Sequence, residues 1–104
     1  MNPWVLVLIA GLCEVGWALG LKYSDGFTRL GPSVATIVLA LLSFWLMSFA
    51  MRSLPAGTAY AVWVGFGAVG TAALGIVLFG EAATVLRLGG IALILAGIVA
   101  LKLA

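Results

Sequence analysis

One glutamate, Glu14, stands in the middle of an apolar run that extends from about Pro3 to Leu21. An ionised side chain at that depth costs at least about 2.5–3.5 kcal/mol on insertion scales, so such residues mark ion paths, proton relays or paired charges. This chain offers no basic partner at depth. Lys22, Arg29, Arg52, Arg87 and Lys102 all sit near the ends of apolar runs or between them. Glu14 is therefore expected to face an aqueous cavity and to bind a proton or an external cation. A protonated carboxyl has no charge with which to hold a cation. A carboxylate that holds a cation resists protonation. The two occupancies exclude one another, and a proton gradient can then drive a cation the opposite way. The plainer alternative is a permanently protonated packing residue.

Helical spacing groups other residues with it. Gly11, Glu14, Trp17, Ala18 and Leu21 share one face of the first run. In the third run Tyr60, Trp63, Gly67 and Gly70 form a single stripe, which reads as a polar-aromatic cavity wall above a close helix contact. Gly65 and Gly67, in Val64-Gly-Phe-Gly67, mark an expected bend or hinge, because glycine weakens a helix. Ser43 lies at mid-depth in the second run; its hydroxyl either orients Glu14 or bonds back to its own helix. Trp17 follows Glu14 by about one helical turn, and a buried indole N–H needs an acceptor, for which the Glu14 carboxylate is nearest. Trp17 and Trp63 are equally compatible with lipid or core packing. Gly90 and Gly97, with Ala92 and Ala96 between them, permit close helix approach and are a candidate dimer contact. Cys13 reads as a small packing residue. With no histidine and a single cysteine, no metal centre or disulfide framework is expected, and no cofactor.

The elements that must carry these residues follow from composition. The 104 residues are 65% hydrophobic and 8% charged, against about 25% charged in soluble domains. The expected fold is an all-α membrane protein of four transmembrane helices, with residues 1–104 as one transporter domain. The runs extend from about Pro3 to Leu21, Pro32 to Met51, Ala56 to Phe79 and Leu88 to Leu101. The first, at about 1.5 Å per residue, reaches roughly 28 Å, close to the hydrocarbon thickness. It is expected to be retained rather than cleaved, since it lacks a basic leader segment and carries a glutamate. The fourth is short, and Arg87 and Lys102 are expected to snorkel from its ends. The connecting segments admit only antiparallel neighbours. A formal charge of +2 without a basic run gives no reason to expect nucleic acid. No set of nucleophile, base and oxyanion donors suggests an enzyme.

Alternating helices place Arg52 and Lys102 on one side and Lys22, Arg29 and Arg87 on the other. Orientation follows Lys and Arg near the helix ends, and this distribution is nearly even. Either one orientation wins narrowly or chains insert both ways. Four thin helices can hardly enclose a cavity and also rearrange around it. Two copies inserted oppositely would supply the inverted repeat on which many transporters are built, with the site at its midplane, and would bring two Glu14 side chains together.

The chain resembles the small multidrug resistance family of bacterial transporters over nearly its whole length. The resemblance rests on Gly11-Leu-Cys-Glu14, Leu21-Lys-Tyr-Ser-Asp-Gly-Phe-Thr-Arg29 with Pro32-Ser33, Ser43-Phe-Trp45, and Leu54-Pro-Ala-Gly-Thr-Ala-Tyr-Ala-Val-Trp63 with Gly65 and Gly67. Gly90-Ile-Ala-Leu-Ile-Leu-Ala-Gly97 is similar to the family's dimerisation segment. Trp17-Ala18 and the ending Leu101-Lys102-Leu103 look like the SugE-type, guanidinium-exporting (Gdx) branch. Asp25 departs mildly from the residues familiar at that loop position. The resemblance implies an antiparallel homodimer with inverted two-fold symmetry in the bacterial inner membrane, exporting guanidinium in exchange for protons. It implies ion binding at Glu14, support of that glutamate by Trp17 and Ser43, and aromatic site roles for Tyr60 and Trp63.

The chemistry is compatible with that implication. Guanidinium is planar and matches a carboxylate through paired hydrogen bonds, and aromatic faces add about 0.5–2 kcal/mol of cation–π attraction. The competing expectation is a promiscuous exporter of quaternary-ammonium or other hydrophobic cations, against which Trp17 stands by filling space that a bulky ion needs. A membrane interaction protein without transport is a further alternative, opposed by the isolated Glu14. Dependence on a paralogous partner would be accompanied by a strong charge bias, which the sequence lacks.

Overall fold

A computed structural model describes residues 2–104, which form four helices: α1 (Pro3–Tyr23), α2 (Leu30–Ala50), α3 (Ala56–Phe79) and α4 (Val85–Leu103). All four are long and apolar enough to cross a membrane. The chain is accordingly an all-helical, multi-pass membrane protein.

Local chemistry sets the helix ends. Asn2 Oδ1 accepts the Trp4 N–H at 2.9 Å, and Pro3 occupies the first turn, where its missing N–H does no harm. α1 runs two residues past Leu21 and ends at Ser24, which is fully buried. The Ser24 hydroxyl donates to the Leu21 carbonyl at 2.7 Å and accepts the Phe27 N–H at 3.2 Å. Asp25, Gly26 and Phe27 then all take positive φ, at 49°, 71° and 64°. Only the glycine does so without a side-chain penalty; the Ser24 bonds fix the other two.

α2 begins at Leu30, two residues before the expected Pro32. Proline is still within the first turn, where helices tolerate it. α4 begins at Val85 rather than Leu88, because Thr84 caps it by accepting the Arg87 N–H at 3.1 Å. Arg87 thus lies in the first turn of α4. α3 ends as expected, with Gly80 left-handed at φ 65°.

α1 packs against α2 and α3, and α4 lies against α3. The buried core gathers at the end of the bundle near the α2–α3 turn, from Val7, Ala10, Met47, Ala50, Ala59, Val62 and Trp63. Small residues bring the helices together. A Cβ on Gly20 would strike Thr36 of α2, and one on Gly70 would strike Val15 of α1. α4 contributes no buried residue, and a Cβ on Gly90 or Gly97 would meet nothing within 4 Å.

Candidate functional site

Glu14 projects from α1 onto α3. Its carboxyl lies against Gly67, where a Cβ would overlap the carboxyl carbon and Oε2. One turn earlier, Phe66 of α3 fills the space above Gly11 of α1 in the same manner. The glycines along this seam let a polar side chain and an aromatic ring enter between two backbones. Glu14 Oε2 is buried and has no hydrogen-bond partner. In native structures such an atom needs an explanation. A carboxylate oxygen is an acceptor, so this one suits a proton or a hydrogen-bonding cation.

Ser43 is fully buried and joins three helices. Its hydroxyl donates to the Ala10 carbonyl of α1 at 2.8 Å and accepts the Trp63 indole N–H of α3 at 2.9 Å. Both options drawn from the sequence are corrected: the Ser43 hydroxyl hydrogen-bonds neither its own helix nor the Glu14 carboxylate. The Ala10 carbonyl is the one that the Glu14 backbone N–H reaches in a regular helix. Ser43 therefore holds the turn that carries the glutamate. Trp63 is 8% exposed. Its ring meets Phe44 at 5.8 Å and Tyr60 at 5.7 Å, both edge to face. Tyr60 is exposed, so the aromatic group leads from the core outward.

Trp17 does not make the expected bond to Glu14. Its Nε1 is buried with no partner. Residues three apart leave a helix about 60° apart in direction, so a shared face does not by itself bring the two groups into hydrogen-bond contact. Acceptor and donor are thus both left open on one face of α1. The α3 helix is unbroken through Gly65 and Gly67. Gly67 receives Glu14, and a Cβ on Gly65 would meet Ile94 and Ile98 of α4 at 3.3 Å. Both glycines are close-contact positions in this conformation. Gly90 and Gly97 lie apart from the site, on the open side of α4. Ala10, Phe44 and Phe66 joined the site only through packing; the presence of Gly11 on the Glu14 face was the one sequence signal for a neighbour such as Phe66.

A family profile described as "Small Multidrug Resistance protein" matches residues 2–94. The chain belongs to the small multidrug resistance family. Curated relatives named "Guanidinium exporter" cover nearly all of it. One from Yersinia pseudotuberculosis serotype I (strain IP32953) is 62% identical over 101 residues, 97% of each chain. One from Escherichia coli (strain K12) is 58% identical over 100 residues, 96% of this chain and 95% of its own. One from Proteus vulgaris is 55% identical over 101 residues, 97% of each chain. Within the small multidrug resistance family the chain therefore groups with the guanidinium-exporter branch.

Proposed function

We propose that residues 1–104 act as one transporter unit that exports guanidinium in exchange for protons. The observation that carries this reading is the buried Glu14 Oε2, without a partner and seated on Gly67 at membrane depth. The relatives' shared name, guanidinium exporter, supports the choice of cation. Glu14 binds either a proton or guanidinium. Ser43 and Trp63 hold the glutamate-bearing turn, Tyr60 offers an aromatic face to the cation, and Trp17 limits the space beside the carboxylate. Gly65 and Gly67 give α3 its freedom to bend as the site changes sides.

The working unit is an antiparallel homodimer in the bacterial inner membrane, surrounded by lipid. The nearly even split of Lys and Arg between the two sides supports insertion in both orientations. The open glycine face of α4, Gly90 and Gly97, supports a close helix contact there. As a transporter the chain needs no catalytic group.

Glu14→Gln tests the reading. Glutamine keeps the shape and removes the titrating charge. The variant is expected to fold and to lose proton-driven guanidinium exchange in liposomes. Exchange at near wild-type rate would refute the role of Glu14.

A further inference from the structure

Glu14 is not the only carboxylate turned onto α3. Glu81 follows α3 in the chain, at the opposite end of the bundle from the apolar core. Gly80, at φ 65°, turns the chain back so that the Glu81 N–H donates to the Gly75 carbonyl at 3.3 Å. The Glu81 carboxylate then folds over Gly75, where a Cβ would overlap Oε1. It needs a left-handed glycine and a bare glycine face to lie where it does.

The group it meets is a cation. Lys22 Nζ stands 3.9 Å from Glu81 Oε2 and 4.5 Å from the centre of the Phe79 ring. Tyr23 packs against that ring, with centroids 5.2 Å apart and the planes tilted by 52°. A carboxylate and an aromatic face thus flank an ammonium. They are the two recognition elements that suit an organic cation. Here the cation is tethered to the protein itself.

The cavity beside them holds about 70 Å³, and its lining includes Ala18, Leu19, Lys22, Thr71, Gly75 and Glu81 with the Phe79 ring, where about 10–15 Å³ suffices for one water. It continues the Glu14 seam. Glu14, Ala18 and Lys22 are spaced by four along α1. Gly67, Thr71, Gly75 and Phe79 are spaced by four along α3. Each set forms one stripe, and eight residues of α1 separate the two ends by about 12 Å. On its other side Glu81 lines a cavity with Arg87 of α4. Among the described residues, Lys22 alone lies within ion-pair distance of it.

We propose that Glu81 and Phe79 form a second cation-binding position at the mouth of the α1–α3 seam, which Lys22 fills with its own ammonium until the transported cation displaces it. This rests on the reading of the chain as an organic-cation transporter. Both side chains of the ion pair are partly exposed. Such pairs are weak, so a free cation can compete with the lysine. Guanidinium has a further advantage, since its planar donors engage both carboxylate oxygens whereas an ammonium acts as a point charge.

The test compares guanidinium exchange in liposomes for the wild type, Lys22→Gln, Glu81→Gln and the double variant, normalised to folded protein. Removing the competitor is expected to lower the apparent KM by up to about fivefold, the range of an exposed ion pair. Removing the carboxylate is expected to raise it by a similar factor. The double variant should lie close to Glu81→Gln, because without the carboxylate Lys22 keeps only its contact with the Phe79 ring and competes weakly. If the pair is merely structural, both single variants shift KM in the same direction, and the proposal is overturned. Should Glu81→Gln fail to fold, Phe79→Leu removes the other wall of the position and must also raise KM. A second measurement does not depend on transport. Guanidinium chloride is titrated into the full-length Glu14→Gln chain in micelles, with sodium chloride as the control, while the Gly75 and Glu81 amide resonances are followed. A guanidinium-specific shift, larger when Lys22→Gln is added, is expected. Its absence overturns the second site. A wild type that carries no guanidinium overturns the export reading instead and leaves this titration to decide the mouth position.

Discussion

The Ser43 junction makes a quantitative claim. Ser43→Ala removes two hydrogen bonds at once, to Ala10 and from Trp63. Interhelical hydrogen bonds in membranes average about 0.6 kcal/mol and reach about 1.7. A buried donor left bare costs about 1–3 kcal/mol. Trp63 is only 8% exposed, so its N–H has little recourse to water. Ser43→Ala should therefore destabilise the chain by about 1–3 kcal/mol. Trp63→Phe removes one of the same bonds. In the double variant that bond is lost only once, which predicts a coupling of about 0.6–1.7 kcal/mol. Unfolding in mixed micelles, followed by circular dichroism, measures all four corners of the cycle. Guanidinium exchange on the same samples shows whether the loss also loosens the Glu14 turn. Additivity within about 0.3–0.5 kcal/mol would refute the three-helix junction. Ser43 would then act through some group other than Trp63.

Three other outcomes are expected. Gly67→Ala places a methyl on the Glu14 carboxyl; the helices should still form, while guanidinium affinity falls at least about tenfold, a loss of roughly 1.4 kcal/mol, and calorimetric affinity near the wild-type value would show that the carboxyl does not bind where it rests. Because a protonated Glu14 cannot hold a cation, apparent guanidinium affinity should weaken as pH falls, and a dissociation constant independent of pH would remove the competition. Trp17→Gly should lower guanidinium exchange while tetraalkylammonium binding holds or improves; an unchanged ratio of the two would leave Trp17 a packing residue.

The four helices were legible because apolar length is a strong signal and no soluble arrangement could hide it. Their ends were less so. Thr84 moved the start of α4 by capping it, and Pro32 marked a first turn without marking its first residue. Glu14 was legible for its isolation among apolar residues. Its surroundings were not. A lone mid-helix serine reads the same whether it bonds its own backbone or bridges two other helices. The crossing of α1 and α2 at Ala10 decides between them. Trp17 and Glu14 share a face, yet sharing a face fixes only the direction in which side chains leave. Where the indole nitrogen comes to rest depends on the neighbouring helix. Glu81 carries no such signal, since nothing in the sequence ties it to Gly75 or Lys22.

α4 buries none of its residues in the chain as it stands. Apolar surface in a membrane gains nothing from leaving water, so lipid is an adequate solvent for that helix. Close packing on its open face, at Gly90 and Gly97, would need a second protein surface. If a second copy supplies it, the number of chains per unit of membrane acts as a ligand concentration. Transport would then grow roughly as the square of copy number when chains are scarce, by simple mass action, and in direct proportion once they are plentiful. Gene dosage would then tune transport most steeply at low expression.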